Sequence, residues 1–152
     1  MRIAMVDLDA LAPAGLEAAR LLCSSGRANE LFERALGDSA ECRGRAAVEA
    51  NGTVAGLALH GMVAGALGTG ALLWVAVRAE SRRRGIGRAL VSDALGELLR
   101  GGARLAVAEL SSDAAIAPMV ALLLGAGFER EGTIPDFYRD GIDLILCRRP
   151  LR

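Results

Sequence analysis

The residues of this chain best suited to chemistry lie in one short run. Glu80-Ser81-Arg82-Arg83-Arg84-Gly85-Ile86-Gly87-Arg88 follows an apolar stretch at 73–77 and opens a segment with helical spacing. A helix N-terminus leaves its first N–H groups unpaired and carries about half a positive charge. Gly85 and Gly87 put no side chain between the backbone and an approaching anion. Arg82, Arg83, Arg84 and Arg88 add positive charge at the rim. The pattern suits a polyphosphate. No acidic metal site accompanies it, so the ligand need not bring a metal. A tight strand-to-helix turn with a solvated basic face is the competing reading of the same residues.

Absent residue types narrow the chemistry further. The chain has no Lys and no Gln. That excludes Lys Schiff bases, including those of pyridoxal phosphate, and the phosphate-binding GxxxxGK[ST] loop. A single His, His60, excludes any two-His metal motif. Cys23, Cys42 and Cys147 show neither CxxC spacing nor an even count, so a zinc ribbon or disulfide framework is not expected. They read as reduced, buried thiols. His60 reads as a surface or turn histidine and Trp74 as core.

The elements around the loop follow from periodicity. Residues 3–8 form a short apolar strand. Residues 11–36 change to helical spacing, with Ser24-Ser25-Gly26 dividing two helices. Strands are expected at 45–50 and 53–59, joined by the hairpin signal Asn51-Gly52, and at 71–77. Ala89, Leu90, Ala94, Leu95, Leu98 and Leu99 line one face of the next helix, which Gly101-Gly102 end. A strand at 104–110 and a helix from Pro118 to Leu124 follow. Closing strands at 128–134 and 144–148 are joined by a loop at 135–141. The order β-αα-βββ-α-β-α-ββ describes an α/β chain with a mixed sheet. The hairpin forces antiparallel pairing, and the strand-helix-strand unit at 71–110 favours parallel pairing.

Composition sets the class. The 152 residues make one domain, 53% apolar and 24% charged, so a packed core is expected. Basic and acidic side chains number 18 each, which gives no footprint for nucleic acid. Mean hydropathy is +0.35, yet no apolar run reaches the ~18 residues of a bilayer span. Residues 53–77 come nearest, but His60 and Gly68-Thr69-Gly70 interrupt them. The N-terminus enters a strand directly, without the long apolar region of a signal peptide. A cytoplasmic protein without a membrane partner is expected.

Arg82-x-x-Gly85-x-Gly87 resembles the R/Q-x-x-G-x-G/A motif of the GCN5-related N-acetyltransferases (GNAT). The run from Val77 through Ala79, Arg82, Gly85 and Gly87 to Leu90 is similar to that family's V-x-P-x-x-R-x-x-G-x-G-x-x-L, with Ala79 where Pro is common. Gly127-Phe128-Glu129 resembles its "GFE" after the fourth helix. The likeness covers residues from 45 onward by motif, and the first third by element order only. It implies one N-acetyltransferase domain over 1–152, with a mixed, mostly antiparallel central sheet flanked by helices. Acceptor-side helices would lie at 11–36 and a CoA-binding core at 69–128.

The resemblance also implies roles. Acetyl-CoA would be bound by residues 82–88, Ile86 included. Val75, Ala76 and Val77 would lie beside a splayed strand, where main-chain groups bond the pantetheine arm and an N–H polarises the thioester carbonyl. A Lys-like amine is protonated at pH 7, and removing that proton costs about 4–5 kcal/mol. Glu109, at a strand end where related enzymes often place a carboxylate, is the candidate base; an exposed strand-end Glu is the alternative. Many members carry a Tyr in the fourth helix, but Leu123 stands there, and Ile116 replaces an Asn at that helix's start. Tyr138, the only tyrosine, lies in a segment resembling the acceptor loop of the RimI-like peptide N-terminal acetyltransferases. It would hold the acceptor, donate the proton or only pack. The expected partner is an amine, small or at a protein N-terminus, and a homodimer is left open. A CoA-binding module without catalysis is the rival reading.

Overall fold

The structure, a computed structural model, describes residues 2–152; Met1 lies outside them. The chain runs β1 (Ile3–Asp7), α1 (Pro13–Leu21), α2 (Gly26–Ala35), β2 (Arg43–Glu49), β3 (Val54–Met62), β4 (Thr69–Val77), α3 (Ile86–Arg100), β5 (Leu105–Ser111), α4 (Ala117–Gly125), β6 (Glu129–Arg139) and β7 (Ile142–Pro150). Short 3-10 turns stand at Leu8–Ala10, Ala79–Ser81 and Ala114–Ile116. The order is the expected one. Among the described residues the strands form one sheet, β1-β2-β3-β4-β5-β7-β6. Every pair is antiparallel except β4–β5, which α3 connects. Parallel neighbours cannot be joined by a tight hairpin and need a crossover, which α3 supplies.

Each sheet face has its own core. On one, α3 turns Ile86, Leu90, Val91, Ala94, Leu95 and Leu98 onto Ala47, Ala55, Ala58, Ala106 and Ala108. Small sheet residues let the long helix side chains reach the backbone. Each fully buried aliphatic chain contributes about 1.5–3 kcal/mol. On the other face α1 and α2 bury Ala19, Leu31 and Phe32 against Leu8, Ala46, Leu57 and Leu59. Ser25 starts α2 by accepting from the Ala28 amide at 3.0 Å. Arg20 joins the two helices, pairing with Glu33 and lying 5.0 Å over the Phe32 ring.

Three expectations change. His60 is buried in β3, only 4% exposed, with its Nε2 lacking a hydrogen-bond partner. It sits in a central strand covered on both faces, where residues 54–61 are all buried. Residues 135–139 are not loop but the second half of β6, whose register with β7 shifts between Ile134 and Arg139. Asp136 carries the irregularity at φ 56°. Trp74 is half-buried against the α1–α2 core, and its Nε1 donates to the Leu22 carbonyl at 3.2 Å. The three cysteines are free and buried, as expected.

Candidate active site

β4 and β5 pair only from Thr69 to Ala71 and from Leu105 to Val107. Beyond that the strands part, although β4 runs on to Val77 and β5 to Ser111. A bulge in β4 lies just beyond the last pair. Leu59 faces Trp74, but the next residue, His60, faces Leu72, so Leu73 is an extra residue. A bulge bends its strand and increases its twist. The result is a wedge-shaped opening in mid-sheet.

Strand alternation decides which main-chain groups face that opening. The Arg78 amide donates to the Ala55 carbonyl at 2.7 Å. Two and four residues back, Trp74 and Ala76 therefore turn their main-chain groups to β3, and Val75 and Val77 turn theirs away from it. The Val77 carbonyl accepts from Arg82 Nε at 3.1 Å. The Val75 amide and carbonyl face the wedge with no strand opposite. Of the three residues singled out in the sequence, Val75 and Val77 thus line the opening and Ala76 pairs within the sheet.

The arginine-rich turn lies at the wide end of the wedge. Gly85 has φ 78° and open space where a Cβ would stand. Arg83, at φ 63°, adds a second left-handed residue. The first helical bond of α3 runs from Ala89 to Gly85 at 3.0 Å, so the amides of Ile86, Gly87 and Arg88 have no helical acceptor. The two glycines differ in their reasons. A Cβ on Gly87 would stand 3.2 Å from Leu122 and 3.7 Å from Val77. Its missing side chain makes room for α4, not for a ligand. Ile86 is buried and anchors the turn. Arg82, Arg83, Arg84 and Arg88 are exposed around it. Glu49 of β2 meets Arg84 at 3.5 Å and Arg78 at 3.7 Å. No sequence pattern had linked that acid to the loop.

Glu109 follows the last β4–β5 pair and is exposed. It lies opposite Leu146 of β7. Tyr138, 48% exposed, stacks edge-on with Phe137 at 5.0 Å. Partial burial raises its hydroxyl pKa, and the nearby Glu109 carboxylate raises it further. The structure therefore brings these two candidates within electrostatic reach. Leu123 is buried in the core, and its neighbour Leu122 is the α4 side chain that meets the start of α3.

A set of contacts invisible in the sequence fixes the β6–β7 end. Arg139 pairs with Asp113 at 3.0 Å. The Asp143 amide donates to Ser112 Oγ at 2.7 Å, and the Asp143 carboxylate accepts from the Asp136 amide at 2.9 Å. Asp136 in turn accepts from the Gly141 amide at 2.7 Å. Among the described residues, no group of three or more His, Cys, Asp or Glu could hold a metal. No helix among them is long and apolar enough to cross a membrane.

The family model of the acetyltransferase (GNAT) family matches residues 15–121. The chain belongs to this family. A GNAT-family crystal structure from Desulfovibrio desulfuricans is 28% identical, with a TM-score of 0.86 over 99% of this chain and 100% of that one. The ribosomal-protein-S18-alanine N-acetyltransferase of Escherichia coli shares the GNAT fold at 22% identity and TM-score 0.77, over 99% and 94%. An acetyltransferase from Bacillus subtilis in complex with CoA does so at 15% and 0.78, over 99% and 100%. No curated protein matches the sequence. The GNAT sheet is the mixed, mostly antiparallel one expected.

Proposed function

We propose that this GNAT protein is an acetyl-CoA-dependent N-acetyltransferase. It moves an acetyl group to a primary amine by direct attack in a ternary complex. The observation that carries this reading is the wedge between β4 and β5 with the α3 cradle at its mouth. The residues fit the co-substrate. The cradle has free amides, an empty Cβ position at Gly85 and a basic rim, which suits a pyrophosphate. Val75 offers unpaired main-chain groups along the wedge.

Bound there, acetyl-CoA supplies the activated acetyl group; this chain's residues do the rest. The Val75 amide is a fixed donor for a carbonyl oxygen that gains charge. Glu109 takes a proton from the acceptor ammonium, directly or through water. Tyr138 holds the acceptor or returns a proton to the departing sulfur. Its raised pKa keeps the hydroxyl protonated at neutral pH. The fold likeness to an enzyme acting on a ribosomal-protein alanine supports a protein N-terminus as acceptor, beside small amines. The domain spans 1–152 and works in the cytoplasm.

The test is acetyl transfer from acetyl-CoA to a mixed panel of small amines and N-terminal peptides, with acetyl-CoA binding measured by calorimetry. Binding together with turnover is the expected result. The buried Leu123 favours a second reading, a CoA-binding module without catalysis. Binding with no turnover on any acceptor would establish it. Arg83→Glu with Arg88→Glu should abolish binding while the fold persists, and unchanged affinity would remove the ligand from this loop.

A further inference from the structure

The end of the sheet opposite the α3 cradle carries an apolar surface that the acetyltransferase reading leaves unused. The β3–β4 hairpin tip reads Val63-Ala64-Gly65-Ala66-Leu67-Gly68, without one polar side chain. Leu67 is 89% exposed, and Val63 is exposed beside it. Two more exposed leucines stand at the same end: Leu36 at the close of α2 and Leu99 in the last turn of α3. Hydrogen bonds place them there. The Met62 amide donates to Ala40, in the segment after α2, at 2.8 Å, and the Arg104 amide, just after α3, donates to Gly68 at 2.8 Å.

Arginines surround this surface. Arg104 donates from Nε to the Leu67 carbonyl at 3.0 Å. The Leu151 amide donates to Arg104 at 2.9 Å, which brings Arg152 alongside. Arg43 begins β2 and Arg100 ends α3, both exposed. Nearby acids are largely engaged: Glu97 pairs with Arg100 at 2.9 Å and Glu41 with Arg34 at 3.4 Å. Asp38 remains. With both partners of each pair left out, Arg43, Arg104 and Arg152 stand against Asp38, so the apolar end is net positive.

We propose that this end docks on an anionic lipid surface. A second copy of the chain would set these arginines against each other across a two-fold axis, so the charge favours a negative partner. The tip is exposed from Val63 through Leu67, and its backbone is partly satisfied from within. Val63 donates to Thr69 at 2.8 Å and Ala66 to Val63 at 3.3 Å. Such a loop can leave water for the headgroup boundary at low cost. Arginine stems lie along it with their guanidinium groups among the lipid phosphates. No bilayer span is required, so the lack of an apolar run in the sequence does not bear on it. The nine residues of β4 hold the α3 cradle about 26 Å away, which leaves the wedge open.

The experiment is co-sedimentation of the full chain with vesicles of phosphatidylcholine alone and of an equal mixture with phosphatidylglycerol. Saturating CoA is added to occupy the α3 loop, and wild type, Leu67→Ser and Arg104→Ser are compared. All three should melt alike, since both side chains are exposed. The wild type should bind only the anionic vesicles, and Leu67→Ser should weaken binding about tenfold or more. Arg104→Ser should weaken it less, with a smaller loss on adding salt. Three results would overturn the proposal. One is no vesicle binding. Another is anionic-vesicle binding that survives Leu67→Ser undiminished, which puts the contact elsewhere on the molecule. The third is a dimer in analytical ultracentrifugation that Leu67→Ser dissociates. None of these readouts depends on acetyl transfer.

Discussion

Arg139 and Asp113 meet at 3.0 Å across the end of the sheet, joining the tip of β6 to the turn that precedes α4. Asp113 also accepts from the Ala115 amide at 3.0 Å. That amide, and then Arg139, hold its carboxyl below the ordinary carboxylate range. The pair is exposed, so its worth is positional. Tyr138 precedes Arg139 in the chain, so the contact limits where its hydroxyl can stand. Arg139→Leu should raise the acceptor KM about tenfold while the acetyl-CoA Kd and the melting temperature stay constant. A proportional rise in both constants would show that the pair has no selective role.

Glu109→Gln keeps the shape and removes the proposed base. The expected fall in kcat/KM is about a hundred- to ten-thousand-fold. It should recover in part at high pH, where the amine loses its own proton. A pH profile parallel to wild type would exclude Glu109.

Tyr138→Phe removes one hydroxyl. If that group returns the proton, kcat drops with both KM values little changed; if it orients the amine, only the acceptor KM rises. Its pKa is raised above the ordinary 10.0, so the wild type should show no loss of rate from this group between about pH 7 and pH 9. An alkaline limb near pH 8 that vanishes in Tyr138→Phe would contradict that.

His60 links stability to pH. Burial lowers its pKa below the ordinary 6.5; Glu97 and Asp93 oppose the shift, and Arg45 and Arg43 assist it. The unfolded chain therefore binds the proton more readily than the folded one. Stability is complete above about pH 6.5 and falls as pH drops below it, until the folded pKa is reached. Chemical denaturation across this window should show the slope in wild type and a flatter line in His60→Gln. Equal slopes would assign the effect to other groups.

Arg45 pins α3 to the sheet. It meets Asp93 at 2.8 Å and Asp7 at 2.9 Å, and these partners raise its already high pKa. Arg45→Ala would leave Asp93 half-buried and unpaired, at a cost of about 3 kcal/mol. Arg45→Ala with Asp93→Ala should cost less than the single change, a non-additivity that denaturant titration can read.

The sequence was most legible where the signal is local. The helix period of 86–100, the Asn51-Gly52 turn and the arginine–glycine run each lie within a few residues, and each falls where expected. The β4 bulge at Leu73 has no such signature, because it exists only in register with β3. Asp113 and Arg139 are far apart in sequence, and no pattern couples them. The second half of β6 escaped notice because it is exposed on both faces and so lacks alternation, and Pro135 reads as a break. His60 misled because a strand covered on both sides loses the period that marks burial.

The exposure of β6 has a consequence for how such a protein can change. None of its eleven residues is fully buried, and all but Gly132 are largely exposed. The strand that carries Tyr138, proposed above to hold the acceptor, thus adds little to the folding core, while α3 and β2–β4 hold the chain together. On that proposal, selectivity and foldedness would be stored in separate sets of positions. A lineage could rewrite the β6 edge, residue by residue, to suit a new amine without first acquiring compensating stability elsewhere.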